Sequence, residues 1–316
     1  MKNFLKQINP FNNIKVENKW LFLIKTILKF AFVYLLNLAV IFLIGGIIKL
    51  LVPKVSFLKL HLNEERLKLI GYYLHFISIV ITLIMVKAID KESYQSVGLV
   101  KRKWWQVLIG FGVALLVGII VVLVLVFSKQ LKFNGINKNW NPIKGILFLG
   151  AFFVYAIAEE LLCRGLIENR IRKKFNIHIC VTVAFLAFCV PHFVELVSEL
   201  FSGKAKYAIV SILNLLLISY CFSLFLDEFD NIFVCSGFHT GWNFLLYSVI
   251  GSRVNGIKSE TSIFSFTVKS SIFSGGAEGL EAGLVASVLL FILCVILTIF
   301  VKRKEKREHL LEQNTL

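Results

Sequence analysis

The sequence predicts an all-α fold: a polytopic membrane protein with about eight transmembrane helices around an intramembrane polar cavity. Three observations carry this expectation. Hydrophobic residues make up 57% of the 316, and mean hydropathy is +0.78, more apolar than soluble domains are. The apolar residues fall in runs close to the ~20 that a helix needs to cross a hydrocarbon core. Three of these runs carry charged, imidazole and amide side chains at helical spacings.

The runs follow one another at 30–48, 69–86, 106–127, 145–168, 177–197, 207–226, 232–250 and 282–301. The first is preceded by Trp20–Leu28, also apolar, but Lys25 and Lys29 there suggest an interfacial approach. The organisation reads as an N-terminal cytoplasmic or interfacial segment (1–29), three transmembrane helices (30–144), a core of five (145–301) and a charged, solvated tail (302–316). The longest connection, 251–281, is rich in Gly, Ser and Thr. No soluble domain, internal repeat or cleavable signal peptide is apparent.

The chain has 35 basic and 19 acidic residues, a formal charge of +16. No basic, aromatic-interleaved domain stands apart, so nucleic acid is not an expected partner. The charge reads instead as membrane orientation. With the N-terminus inside, the inner segments hold 20 Lys and Arg and the outer ones 14. The blocks KRK at 101–103, RIRKK at 170–174 and KRKEKR at 302–307 all fall inside. The expectation is a multi-pass protein of the cell membrane with both termini in the cytoplasm. The six cysteines lie in or beside apolar runs without a CxxC pair, which suits small core residues better than disulfides or a zinc site.

The stretch YAIAEELLCRGLIENR (155–170) raises the functional question. A carboxylate at the bilayer centre costs ~2.5–3.5 kcal/mol on insertion scales. Glu160 and Arg164 are four apart, share a helix face and can pair. Glu159 is turned about 100° from Glu160, so it can point elsewhere and stay free for chemistry. FLAFCVPHF places His192 after Pro191, which frees a backbone carbonyl and favours a kink. GFHTGWNFLLY sets His239 and Asn243 on one face, with Gly241 between them allowing close approach of a neighbour.

Each feature has a plain structural reading: a satisfied core histidine, an ion-pair tie, an asparagine joining helices. Together, at compatible depths, they favour one polar pocket. A carboxylate and a histidine can deprotonate water, and a second histidine and an amide can bind an oxyanion. Alternatively Glu159, His192 and His239 can hold a divalent metal such as zinc that activates the water. No cofactor is otherwise indicated. HExxH, GxSxG and GxGD motifs do not occur. Glu195, one turn after His192, reads as a boundary residue at the outer end.

EExxxR (Glu159, Glu160, Arg164), FxxxH (Phe188, His192) and HxxxN (His239, Asn243), in that order in successive spans, resemble the CPBP family of CAAX proteases and bacteriocin-processing (Abi) proteins. The late SGGAEGLEAGL (274–284) is similar to a glycine-rich segment of many bacterial members. The resemblance covers about 145–300. It implies a helical membrane endopeptidase in which Glu159 and His192 activate water, His239 and Asn243 stabilise the oxyanion, and Glu160 and Arg164 orient or balance the site. Cys163 before the arginine and Pro191 before His192 depart from the usual pattern.

The expected function is hydrolysis of a peptide bond in a membrane-associated protein or peptide within the bilayer, in CAAX-protease, bacteriocin- or pheromone-processing or self-immunity roles. The alternative is a non-catalytic immunity or scaffold protein that binds a peptide or partner. A transporter with a Glu/His proton relay ranks third, since inverted repeats are missing.

Overall fold

The computed structural model describes residues 2–51, 54, 64–254, 257–259 and 261–314. Residues 52–53 and 55–63 of the expected outer connection 49–68 lie outside the described residues. A short helix α1 (Lys2–Ile8) leads to α2 (Lys19–Leu51), α3 (Glu64–Leu74), α4 (Phe76–Ile84) and α5 (Val107–Phe127). The core follows with α6 (Pro142–Glu160), α7 (Ile177–Cys189), α8 (Phe193–Phe201), α9 (Ala205–Phe229), α10 (Phe233–Phe244) and α11 (Leu284–Asn314). The fold is that of an all-α polytopic membrane protein.

Among the described residues, six helices are long and apolar enough to cross a membrane, or seven if the α7–α8 pair, bent by 73°, is one broken span. The expected seventh span, 232–250, is the one not among them, and it fails on apolarity, not on position. It is α10 continued by a π turn, Leu245–Ile250, with most of its side chains buried in protein. A helix enclosed by other helices meets no lipid, so it can carry Ser236, His239, Thr240 and Asn243 without an apolar outer face.

Glycine sets how closely α10 packs on α5. A Cβ on Gly237 would sit 1.9 Å from the Val107 carbonyl oxygen, and one on Gly110 would sit 1.9 Å from that of Val234. The pairs Gly237–Val107, Gly241–Phe111 and Leu245–Gly118 run in step, so the two helices are parallel. α10 therefore passes from one face of the bundle to the other at its centre. Small residues that let backbones touch are the usual solution for such crossings.

The N-terminal boundary differs from expectation. α2 begins at Lys19, and Lys25 and Lys29 are buried. The Lys25 ammonium donates to Asn12 Oδ1 (2.7 Å) and the Ile14 carbonyl (3.0 Å), while Lys29 pairs with Asp90. Partnered in this way, lysines can stay within a helix that reads as interfacial from sequence. The tail 302–314 is the exposed end of α11, not a separate coil.

Short strands were not foreseen. β1 (Leu131–Ile136) pairs antiparallel with β4 (Phe264–Val268) across a bulge at Phe133/Gly135, and β2 (Arg253–Val254) pairs with β3 (Ile257–Lys258). The β1–β4 pair ties the connection 129–144 to the connection 251–281, and β2–β3 lies within the latter. All six cysteines are free, and five are buried.

Candidate active site

The site is built from the end of α6 outward. Asn141 caps α6, its Oδ1 accepting from the Lys144 amide at 3.0 Å, with Pro142 in the first turn. Pro fits there because that N–H would be unpaired in any case. The helix runs to Glu160, then widens into a π turn, Leu161–Glu168. Such turns concentrate at functional sites.

Arg164 is fully buried within this turn. Its guanidinium lies 3.3 Å from Glu160 Oε2 and 3.9 Å from Glu168 Oε2, and it donates to Ser219 Oγ at 2.7 Å. It also stacks between the rings of Phe188 (4.7 Å) and Phe222 (4.9 Å). Glu168 passes the charge outward to Arg172 at 2.6 Å, and Arg172 pairs with Asp227. The Glu160–Arg164 pairing read from the spacing is present, and it anchors a relay of alternating charges that reaches the bundle's face.

Glu160 has a second partner. Its Oε1 lies 3.0 Å from His239 Nδ1. The other ring nitrogen, Nε2, faces Glu159 Oε2 at 3.8 Å. The imidazole is packed by Tyr155, Phe188 and Phe222, with ring centroids 5.7–5.9 Å away. Glu159 is buried, and neither of its oxygens has a hydrogen-bond partner. The two adjacent glutamates thus have different environments: one bonded and charge-balanced, the other unbonded.

Pro191 breaks the next span. α7 stops at Cys189 and α8 starts at Phe193, with the His192 amide donating back to the Cys189 carbonyl at 3.1 Å. His192 therefore stands at the corner of a 73° bend, half-buried. It lines a cavity together with His239 and Asn243. Asn243 is buried and its Nδ2 has no partner. Glu159 instead lines a neighbouring cavity with Tyr155, His75 and Pro191.

The structure thus brings Glu159, Glu160, Arg164 and His239 into one cluster and sets His192 and Asn243 on the wall of the adjoining cavity. The imidazole beside Glu159 is that of His239, not that of His192 with which the resemblance paired it. Among the described residues, no three His, Cys, Asp or Glu side chains are grouped to hold a metal ion. Glu159, His192 and His239 as they stand do not fit one, and His239 Nδ1 is already engaged by Glu160.

Sequence reasoning missed Ser219, whose hydroxyl carries no periodic signal in an apolar helix. Glu195, read as a boundary residue at the outer end, also lines the cavity with His192, a role the sequence did not signal.

No match is found among curated proteins or among solved structures. A family model does match, over residues 141–245, described as Rce1-like, type II CAAX prenyl endopeptidase Rce1-like. The match ends short of the glycine-rich stretch 274–284 but contains all seven motif residues. Over that stretch, about a third of its length, the chain is similar to the type II CAAX prenyl endopeptidases.

Proposed function

We propose that the protein cleaves a membrane-associated peptide or protein by direct attack of water, with Glu159 as the general base. The observation that carries this is the buried, unbonded Glu159 carboxylate facing His239 Nε2, beside a Glu160 whose charge is already met by Arg164. Burying a polar group without a partner costs about 1–3 kcal/mol, a cost that structure alone gives no reason to bear.

In this reading Glu159 takes a proton from water as the oxygen attacks the scissile carbonyl carbon. Glu160 holds His239 at Nδ1 and so fixes the ring whose Nε2 adjoins Glu159. The unpartnered Asn243 Nδ2, with His192 from the bend, donates hydrogen bonds to the oxyanion. The proton held by Glu159 then passes to the departing amine. No step is routed through a metal. The substrate class is a peptide entering from the bilayer, of the kind processed as a secreted bacteriocin or pheromone. In this reading the protein lies in the cell membrane, and the basic blocks KRK, RIRKK and KRKEKR support a cytoplasmic position for the face that carries them.

The test compares membrane peptides by mass spectrometry from a deletion strain carrying wild type or Glu159→Gln at matched protein levels. Products seen only with wild type are expected, with turnover lowered ~10²–10⁴-fold in the variant. Identical peptide profiles with the biological phenotype still rescued would support a non-catalytic immunity or scaffold role instead.

A further inference from the structure

The cavity lined by His192, His239 and Asn243 is chemically divided. Near His239 and Asn243 its unmet group is a donor, the Asn243 amide. Toward the other end it is lined by Glu195, Glu199, Glu278 and Glu281, together with Asn214. Four of the chain's 19 acidic residues therefore meet at one cavity of a molecule whose net charge is +16.

The unmet groups at this end are acceptors. Asn214 is buried, and its Nδ2 donates to the backbone carbonyls of Glu281 (2.7 Å) and Gly283 (3.3 Å). That orientation leaves Asn214 Oδ1 without a partner. Glu199 is likewise buried, with Oε2 unpartnered. The cations at this end, Lys204 (2.7 Å) and Arg253 (3.5 Å), both pair with Glu278, which leaves Glu195 and Glu199 as wall carboxylates without a salt bridge among the described residues.

Gly279 holds this wall in place. It has φ +105°, and a Cβ there would lie 2.4 Å from the Arg253 carbonyl oxygen. The glycine-rich stretch 274–284 is thus the backbone that presents Glu278 and Glu281.

We infer that this end of the cavity is a cation-binding vestibule that selects a lysine or arginine side chain of the peptide substrate. The inference rests on the peptidase reading above and names its substrate class. An ammonium or guanidinium supplies only donors, matching the unmet acceptors and the excess of carboxylates. Charge-assisted hydrogen bonds of this kind are the strong ones. A divalent cation is the poorer occupant, because no three of these carboxylates are grouped as metal ligands among the described residues.

The test reads binding without turnover. Full-length Glu159→Gln protein in neutral detergent is titrated with two fluorescent nonapeptides. They are identical except for three central residues, Lys in one and Glu in the other. The lysine peptide should bind about tenfold more tightly, against the attraction that the molecule's overall positive charge gives the glutamate peptide. Adding Glu195→Gln and Glu199→Gln together should abolish the preference. Glu195→Gln alone, at a half-exposed position, should already lower it. Glu308→Gln makes the same charge change on the exposed end of α11 and should keep it. Equal affinities, tighter binding of the glutamate peptide, or a preference that survives both substitutions would overturn the vestibule. Failure of the peptidase reading shows separately, as membrane-peptide profiles that are identical with wild type and Glu159→Gln.

Discussion

At the scale of single residues, the proposed mechanism divides stability and chemistry between two neighbouring carboxylates. Arg164 has no exposure and is held by Glu160, Glu168, Ser219 and two aromatic rings. Removing one member of a buried ion pair strands the other and typically costs about 3–5 kcal/mol, whereas replacing both by apolar or neutral groups costs far less. Arg164→Ala should therefore lower the midpoint of thermal unfolding in detergent strongly. The pair Glu160→Gln with Arg164→Met should recover much of that loss. It should not recover cleavage, because a neutral amide in place of the Glu160 carboxylate cannot hold His239 Nδ1 as the charged group does. Measuring midpoints and turnover on the same preparations separates the two roles. The Glu160–Arg164 tie was legible from a spacing of four. The Glu160–His239 contact was not, because it joins helices 79 positions apart and depends on how they pack.

At the scale of elements, a proline and a few glycines do what apolar periodicity cannot announce. Pro191 lacks the N–H that would continue α7, and its ring obstructs the carbonyl of Ala187. The span folds over by 73° and sets His192 on the cavity wall. Pro191→Ala should let α7 run on and carry the imidazole away. Cleavage should fall by about tenfold or more, since small misplacements of catalytic groups are costly, while the thermal midpoint stays level or rises. Loss of both would instead make the bend a structural requirement. The α5–α10 contact behaves in the opposite way. Gly237→Leu would push a side chain into the Val107 carbonyl, and overpacking of this kind costs ~1–3 kcal/mol or more. The variant should express poorly and unfold early. Gly241 was readable as a point of close approach because it sits between two polar residues on one face. Gly110 and Gly237 were not, because nothing in a single sequence says which neighbour a glycine meets.

At the scale of the whole molecule, the ion pairs sort the connections into two faces. Asp90 with Arg170 (2.6 Å), Lys304 with Asp230 (2.9 Å) and Lys174 with the Val16 carbonyl (2.7 Å) knit together the segments carrying the basic blocks and the start of α2. Glu65 with Lys144 and Thr261, Glu278 with Lys204 and Arg253, and the β1–β4 ladder knit together the other set. The alternation expected from apolar runs is therefore present in the contacts, although 232–250 is too polar to pass as a span by itself. Its passage is recognisable only from the glycine register with α5, a feature of packing. The arrangement also fixes where the proposed cation vestibule opens, because Glu278 is paired with residues of the second face. If the basic face is cytoplasmic, that end of the cavity looks away from the cytoplasm. Single cysteines at exposed positions test this directly with a membrane-impermeant thiol reagent on sealed, right-side-out cells. Lys138→Cys and Lys206→Cys should label on intact cells, while Arg102→Cys and Arg303→Cys should label only after lysis, with the wild type as the blank for the native cysteines. The reverse pattern would invert the molecule and turn the vestibule toward the cytoplasm. A mixture within either pair would break the two-face topology itself.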